Sequence, residues 1–127
     1  MATETRETAR DRFDQKALLD AIQELVVSER DQDPSIERIE RDPVLLDVCR
    51  NGHRFIVAAG PGSQIAEGQF RFSEQCDDRA PTIRFLVTRD PDDATAFQYD
   101  DEEARSLDGV AIRIVQDFLV KTDEPGG

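Results

Sequence analysis

Few residues in this chain have side chains that could carry catalysis or bind a metal. The 127 residues include one histidine, His53, and two cysteines, Cys49 and Cys76. The spacing Cys49-x3-His53 differs from the ligand spacings typical of zinc sites. In the hairpin derived below, Cys49 and His53 also lie on opposite faces, whereas a Cys–His catalytic pair needs hydrogen-bond contact. We therefore predict no catalytic residues, no metal site and no cofactor, which leaves an enzyme as the least supported class.

Two further patterns resemble ligand-binding loops without their essential features. Residues 60–63, Gly-Pro-Gly-Ser, lack the lysine and the following helix of a phosphate-binding loop, and Pro61 removes one backbone N–H donor. The acidic residues at 90–93 and 100–103 lack the Asp-x-Asp-x-Asp-Gly order of a calcium loop. We interpret the first pattern as a hairpin connection, and the acids as solvated residues of a turn and a helix start.

Three arginines stand in successive predicted strands, at positions that face away from the predicted core. They are Arg54, Arg71 and Arg84. Like charges that lie directly opposite one another destabilise a sheet. Negative groups should therefore compensate them: the chain's own Asp47 and Glu74, a partner's acids or an anionic ligand.

Apolar side chains share this predicted face with the arginines. A surface that combines arginine with aliphatic groups is typical of a protein–protein contact, although a sheet face with ordinary internal salt bridges would show the same pattern. We predict a non-enzymatic interaction module, such as an adaptor, a chaperone-like protein or an inhibitor, whose partner is another protein or a second copy. Its predicted binding residues are Arg54, Ile56, Arg71, Arg84 and Leu86.

Two alternative functions remain open. A small-molecule or anion binder could use the row of arginines, and a pocket lined by Arg54, Arg71 and Arg84 would favour it. A carrier protein could use the C-terminal Gly126-Gly127, because ubiquitin-like and sulfur-carrier proteins expose such an end to an adenylating enzyme. Those proteins usually have a strand before the tail, whereas residues 107–119 here have the apolar spacing of a helix.

A hairpin around Asn51-Gly52 positions these candidate residues. This pair suits a type I′ turn, in which both central residues have positive φ. The pairs on the resulting apolar face are Val48 with Phe55, Leu46 with Val57 and Val44 with Ala59; those on the mixed face are Cys49 with Arg54, Asp47 with Ile56 and Leu45 with Ala58. A slip of one residue would exchange the two faces, so turn chemistry and hydrophobic pattern specify one register.

The rest of the chain predicts a helix on either side of the strands. An apolar stripe that includes Phe13 indicates a helix over residues 11–30, capped by Asp11 or Asp14, and another stripe indicates a helix over 101–121 with a break near 106–109. Residues 60–68 are predicted to be a connection, with strands over 69–74, 82–88 and 95–99; Ile36 and Ile39 have the spacing of one helical turn. The predicted inward-facing side chains are Val48, Phe55, Val57, Phe70, Phe72, Ile83, Phe85 and Val87. The fold is therefore α+β, a two-layer sandwich in which an antiparallel meander of four to five strands carries both helices on one face.

Length and charge limit the class of protein further. The chain suits a frayed lead-in at residues 1–9, a single domain at 10–121 and a flexible tail at 122–127. A net charge of −12 opposes binding to nucleic acid and to anionic membranes, so neither is a predicted partner. The lack of a long apolar segment and the two cysteines predict a cytoplasmic protein with reduced thiols. The acid excess and scarcity of lysine also suit a salt-rich cytoplasm, so a halophilic source is a hypothesis.

Overall fold

The computed structural model describes residues 2–60, 64–71 and 82–123, with side chains for residues 12–60, 64–71 and 83–123. These residues form α1 (Ala2–Arg30), β1 (Ile36–Asp42), β2 (Leu45–Arg50), β3 (His53–Ala59), β4 (Gln64–Arg71), β5 (Thr82–Arg89), β6 (Phe97–Tyr99) and α2 (Leu107–Lys121). The strands pair antiparallel in chain order, which makes the sheet a meander. Both helices pack on one face of the sheet, the inner face, and they contact each other. The predicted α+β two-layer sandwich is confirmed, with six strands instead of four to five.

The hairpin of β2 and β3 has the predicted turn and register. Asn51 has a φ of 53° and Gly52 a φ of 82°, as a type I′ turn requires. Val48 lies opposite Phe55, and Asp47 lies opposite Ile56. The prediction is therefore confirmed, and this register decides which side chains face the helices and which face away.

The turn of this hairpin also holds the end of α2. Arg50 is only 6% exposed, and its Nη1 donates to the Leu119 carbonyl at 2.8 Å and to Thr122 Oγ1 at 3.1 Å. Its Nε donates to Asp33 Oδ2 at 2.9 Å, while Asn51 Nδ2 donates to the Thr122 carbonyl at 2.7 Å. A buried cation destabilises a protein unless it is paired and hydrogen-bonded. These bonds therefore fix three segments relative to one another: the connection after α1, the hairpin and the last turn of α2.

Aromatic rings form the centre of the core. The ring centroid of Phe55 lies 5.2 Å from that of Phe70 and 4.7 Å from that of Phe118 on α2. The buried members of the predicted inward set are Val48, Phe55, Val57, Phe70, Phe85 and Val87. Ile83 shares this face opposite Phe70 but is 48% exposed, which corrects its predicted place among the inward-facing side chains of the core. Phe72 lies outside the described residues.

β1 corrects the interpretation of Ile36 and Ile39 as one helical turn. Both side chains pack at the inner face, although residues three apart in a regular strand point to opposite sides. A register shift between Ile36 and Arg38 inserts an extra residue and returns both isoleucines to the same face. The bulge explains how a strand can show helical spacing.

β4 begins at Gln64, so the predicted connection up to Gly68 is wrong. Gly68 is a strand residue opposite Phe85, and a Cβ added to it would lie 1.8 Å from Phe85 Cζ. The glycine therefore leaves room for an aromatic ring, and it does not mark a loop. Residues 72–74 of the predicted strand lie outside the described residues.

Both helices begin at residues other than those predicted. α2 starts at Leu107, because the Ser106 hydroxyl accepts the Gly109 N–H at 3.1 Å and caps the helix. α1 begins at Ala2, so Asp11 and Asp14 both lie within the helix and neither is its N-cap; Asp14 pairs with Arg89 at 2.6 Å. Phe13 is 71% exposed, which corrects its place in the apolar stripe. The motion predicted for residues 1–9 and 122–127 stays a prediction.

Asn51→Pro should lower the free energy of unfolding by more than about 1 kcal/mol. Proline cannot adopt the positive φ at this position, and it removes the N–H that donates to the Ser35 carbonyl at 3.1 Å. Asn51→Gly is the matched control, because it keeps the φ and the N–H and loses only the side-chain bonds to the end of α2; it should cost less. Urea denaturation measures both variants, and parental stability in the proline variant would contradict the turn.

Candidate binding surface

The sheet face opposite the helices, which we call the outer face, is built from the residues that alternate with the buried ones. Strand pairing arranges its central side chains in three rows that run across β2 to β5. The first row contains Cys49, Arg54 and Arg71; the second contains Asp47, Ile56, Gln69 and Arg84; the third contains Leu45, Ala58, Glu67 and Leu86. All five residues predicted to bind therefore lie on one face.

The three arginines are close but do not form one straight row. Arg54 lies directly opposite Arg71 on the neighbouring strand. Arg84 lies opposite Gln69, one row further along, and is therefore diagonal to Arg71. Ile56 also neighbours Gln69, which places one apolar side chain beside the arginine group. Leu86 lies in the third row and is 37% exposed.

Arg54 is compensated by the chain's own Asp47. Its Nε donates to both carboxylate oxygens at 3.1 Å, and its Nη2 donates to Asp47 Oδ2 at 2.6 Å. The Asp47 side chain is 4% exposed and that of Arg54 is 23% exposed, so solvent screens this pair only in part. Arg38 adds a second cation, with its Nη2 3.7 Å from Asp47 Oδ1. Glu74, the other acid considered from the sequence, lies outside the described residues.

The β4–β5 side of the outer face has a different electrostatic character. Arg71 Nε donates to the amide oxygen of Gln69 at 3.1 Å, which is a neutral acceptor. Arg84 is exposed and pairs with no carboxylate among the residues that the structure describes. The positive charge of Arg84 is therefore presented to solvent on the face that also carries Ile56 and Leu86.

A concavity of about 560 Å³ lies on the outer face. Its lining joins aliphatic side chains to polar and charged ones: Leu45, Arg54, Ile56, Ala58, Glu67, Gln69 and Arg71. The described lining contains two of the three arginines, while Arg84 lies outside it. Leu45, Ile56 and Ala58 come from two adjacent strands and supply its apolar part.

Cys49 and His53 lie on opposite faces, as the hairpin register predicts. Cys49 opposes Arg54 on the outer face, whereas His53 opposes the inward-facing Arg50. Cys49 is disulfide-bonded, and its partner lies outside the described residues. The expectation of reduced thiols is therefore wrong for this residue. Among the described residues, no group of three His, Cys, Asp or Glu side chains has a geometry suited to a metal ion.

A second polar cluster joins β6 to α2, and its residues are not among those predicted from the sequence. The Tyr99 hydroxyl and Lys121 Nζ both donate to the Asp117 carboxylate. Burial, followed by the neighbouring Asp117, raises the pKa of Tyr99 above its ordinary range. Burial alone would raise the pKa of Asp117, but the hydrogen bonds from Lys121 and Tyr99 outweigh it and lower that pKa. Asp117 and Lys121 lie four residues apart on α2, a spacing at which opposite charges pair, so the sequence alone could have indicated this ion pair. Because Tyr99 and Lys121 both bond to Asp117, the cluster has a structural role.

Comparison with protein-family models, curated proteins and solved structures finds no match to this chain. None of the helices formed by the described residues is long and apolar enough to cross a membrane. The C-terminal Gly126-Gly127 lies outside the described residues.

Asp47→Asn should lower the free energy of unfolding by about 2 kcal/mol, because it leaves the partly buried Arg54 without its counter-charge. The matched control is Asp92→Asn, at an exposed residue of the turn before β6, and it should change stability by less than about 0.5 kcal/mol. Chemical denaturation of both variants provides the comparison. Equal effects of the two changes would contradict a stabilising role for the Asp47–Arg54 pair.

Proposed function

We propose that this protein is a non-enzymatic interaction module that binds a partner protein through its outer face. The supporting observation is that both helices occupy the inner face, while the outer face has a concavity lined by aliphatic and arginine side chains. Contact regions between proteins commonly combine these two residue classes. An adaptor, a chaperone-like protein and an inhibitor would all use such a surface.

The chemistry of the outer face suggests the character of the partner. Leu45, Ile56 and Ala58 offer a site for an apolar side chain. Arg84 lies at its β4–β5 side, diagonal to Arg71, and its exposed guanidinium would form charge-assisted hydrogen bonds with a carboxylate. We therefore propose a partner segment in which aspartate or glutamate flanks an apolar residue.

The overall charge modifies how such a partner would bind. A net charge of −12 repels an acidic segment at long range, whereas the arginines attract it only at contact. Screening acts over about 8 Å at physiological ionic strength, so moderate salt weakens the long-range repulsion more than the close contacts. Association with an acidic partner should therefore become faster as salt rises from very low concentration.

A small anion is a less suitable ligand for the same concavity. Arg54 already makes three hydrogen bonds to the buried Asp47 carboxylate. An anion at Arg54 would lie close to that carboxylate and be repelled by it. Arg84, the arginine without a carboxylate partner among the described residues, is not part of the described lining.

A displayed peptide library tests both the surface and the proposed chemistry. Selection on the parent protein should enrich sequences in which Asp or Glu flanks Leu, Ile or Phe. The single variant Arg84→Glu should keep the fold, because this side chain is exposed, and the double variant Arg71→Glu, Arg84→Glu should lose binding at least tenfold. Arg84→Glu alone provides the milder change. Calorimetry with the selected peptides and thermal melting of each variant give the two readouts.

The matched control is Arg12→Glu, Arg30→Glu, which changes the net charge equally at two exposed arginines of α1. This control should bind the peptides as the parent does. Equal binding by the outer-face variant, or selected peptides no more acidic than the library, would overturn the proposal. Unfolding of the Arg84→Glu variant would instead assign that arginine an internal structural role.

A further inference from the structure

The two edges of the sheet differ in how they end. At one edge, β6 is covered by the segment that follows it: the N–H of Phe97 donates to the Arg105 carbonyl and the N–H of Arg105 donates to the Phe97 carbonyl, both at 2.8 Å. At the other edge, β1 pairs with β2 on one side, and no described strand pairs with its other side. An open edge presents backbone donors and acceptors to another strand.

The charges along β1 are complementary to themselves when the strand runs antiparallel to its own copy. Residues 37–41 are Glu-Arg-Ile-Glu-Arg, so a two-fold axis at Ile39 places Arg38 opposite Glu40 of the second copy, and Glu40 opposite its Arg38. We propose that β1 is a self-association edge, where two copies of this chain pair antiparallel through β1 about Ile39. The proposal concerns a surface other than the outer-face concavity, so it stands or falls separately from the proposed function.

The charge pattern selects this register over its neighbours. A shift of one residue places Glu37 opposite Glu40, or in the other direction Arg38 opposite Arg41. A shift of two residues places Glu40 opposite Glu40, or Arg38 opposite Arg38. Like charges directly opposite each other destabilise a strand pair, whereas opposite charges stabilise it. Among these registers, only the one centred on Ile39 is free of such a repulsive pair.

The side chains needed for this pairing lie on the correct face and are accessible. Arg38 opposes Cys49 and Glu40 opposes Asp47, so both point to the outer face. Their side chains are 44% and 63% exposed, and Arg38 Nε lies 3.7 Å from Glu40 Oε1 within the strand. When two copies pair, the Arg38 and Glu40 side chains of both strands would form a ring of four charges that alternate in sign.

Two other charges of β1, Glu37 and Arg41, contribute less to the pairing of the two strands. Glu37 and Arg41 would also oppose each other with opposite sign. The bulge places Glu37 near the outer face, with a carboxylate oxygen 3.3 Å from the Cys49 sulfur. Arg41 opposes the buried Leu46 and pairs with Asp20 of α1 at 3.1 Å, so it points to the inner face. The proposal therefore depends on Arg38 and Glu40.

Backbone hydrogen bonds between the two edges would provide most of the affinity, and the charges would select the partner and the register. With the two-fold axis perpendicular to the sheet, the paired copies would present their outer faces on the same side. Such a dimer would offer two binding surfaces to one partner assembly.

Charge exchange at positions 38 and 40 tests the pairing. Arg38→Glu alone and Glu40→Arg alone each place like charges opposite in a homodimer, so each variant should be monomeric. The double variant Arg38→Glu, Glu40→Arg restores every attractive pair and should dimerise. An equimolar mixture of the two single variants should form a heterodimer. One chain then has two negative charges at positions 38 and 40, and the other has two positive charges opposite them. Light scattering coupled to size-exclusion chromatography and sedimentation equilibrium measure the masses.

Two further measurements complete the test. In a mixed sample of isotope-labelled and unlabelled parent protein, intermolecular nuclear Overhauser contacts should connect Ile39 of one copy to Ile39 of the other, with no substitution required. The outer-face variant Arg71→Glu, Arg84→Glu should keep the dimer. A parent protein that is monomeric at all concentrations, single variants that still dimerise, failure of both the double variant and the mixture to dimerise, or loss of the dimer in the outer-face variant would overturn the proposal.

Discussion

The buried guanidinium of Arg50 is the interaction on which the arrangement of the two layers depends. It stands at the end of β2 and bonds with Asp33 before β1 and with the Leu119 carbonyl and Thr122 hydroxyl at the end of α2. Removing a charge from water is costly, so this site is stable only when all three segments meet there. The interaction holds the last turn of α2 against the hairpin, on the inner face that the apolar side chains of the sheet define.

The outer face follows from this constraint. Once both helices have buried the aromatic side of the sheet, the alternating residues must face away from them. Asp47 neutralises Arg54 within the chain, and the exposed Arg84 lies on β5. No described strand pairs with the side of β1 that faces away from β2, whereas the backbone of Arg105 pairs with Phe97 of β6. The proposed binding surface and the proposed self-association edge are therefore two consequences of one topology.

The sequence was sufficient where local chemistry and pattern agreed. Asn51-Gly52 specified the turn, and period-two alternation placed Arg54, Arg71 and Arg84 on one face. It was insufficient where a tertiary contact gave a residue its meaning. From the sequence, Gly68 suggests a loop, but in the structure the Phe85 ring fills the space that a side chain at this position would need. In β1, the bulge brings Ile36 and Ile39 to one face, which is the spacing expected of a helix. The sequence nominated Asp47 among several possible counter-charges, but its selection required the diagonal geometry of β2 and β3, which no linear pattern contains.

The central claim is that solvent reaches the outer face in the isolated protein and that a bound partner covers this face. Solvent paramagnetic relaxation of methyl groups measures this directly, with Ile56 and Leu86 as outer-face probes and the exposed Ile112 and Val27 as probes of the helices. The account predicts strong relaxation at all four residues in the isolated monomer. Addition of a selected acidic peptide should then protect Ile56 and Leu86 alone. Protection of Ile56 and Leu86 before any peptide is added, or protection confined to Ile112 and Val27 afterwards, would contradict it.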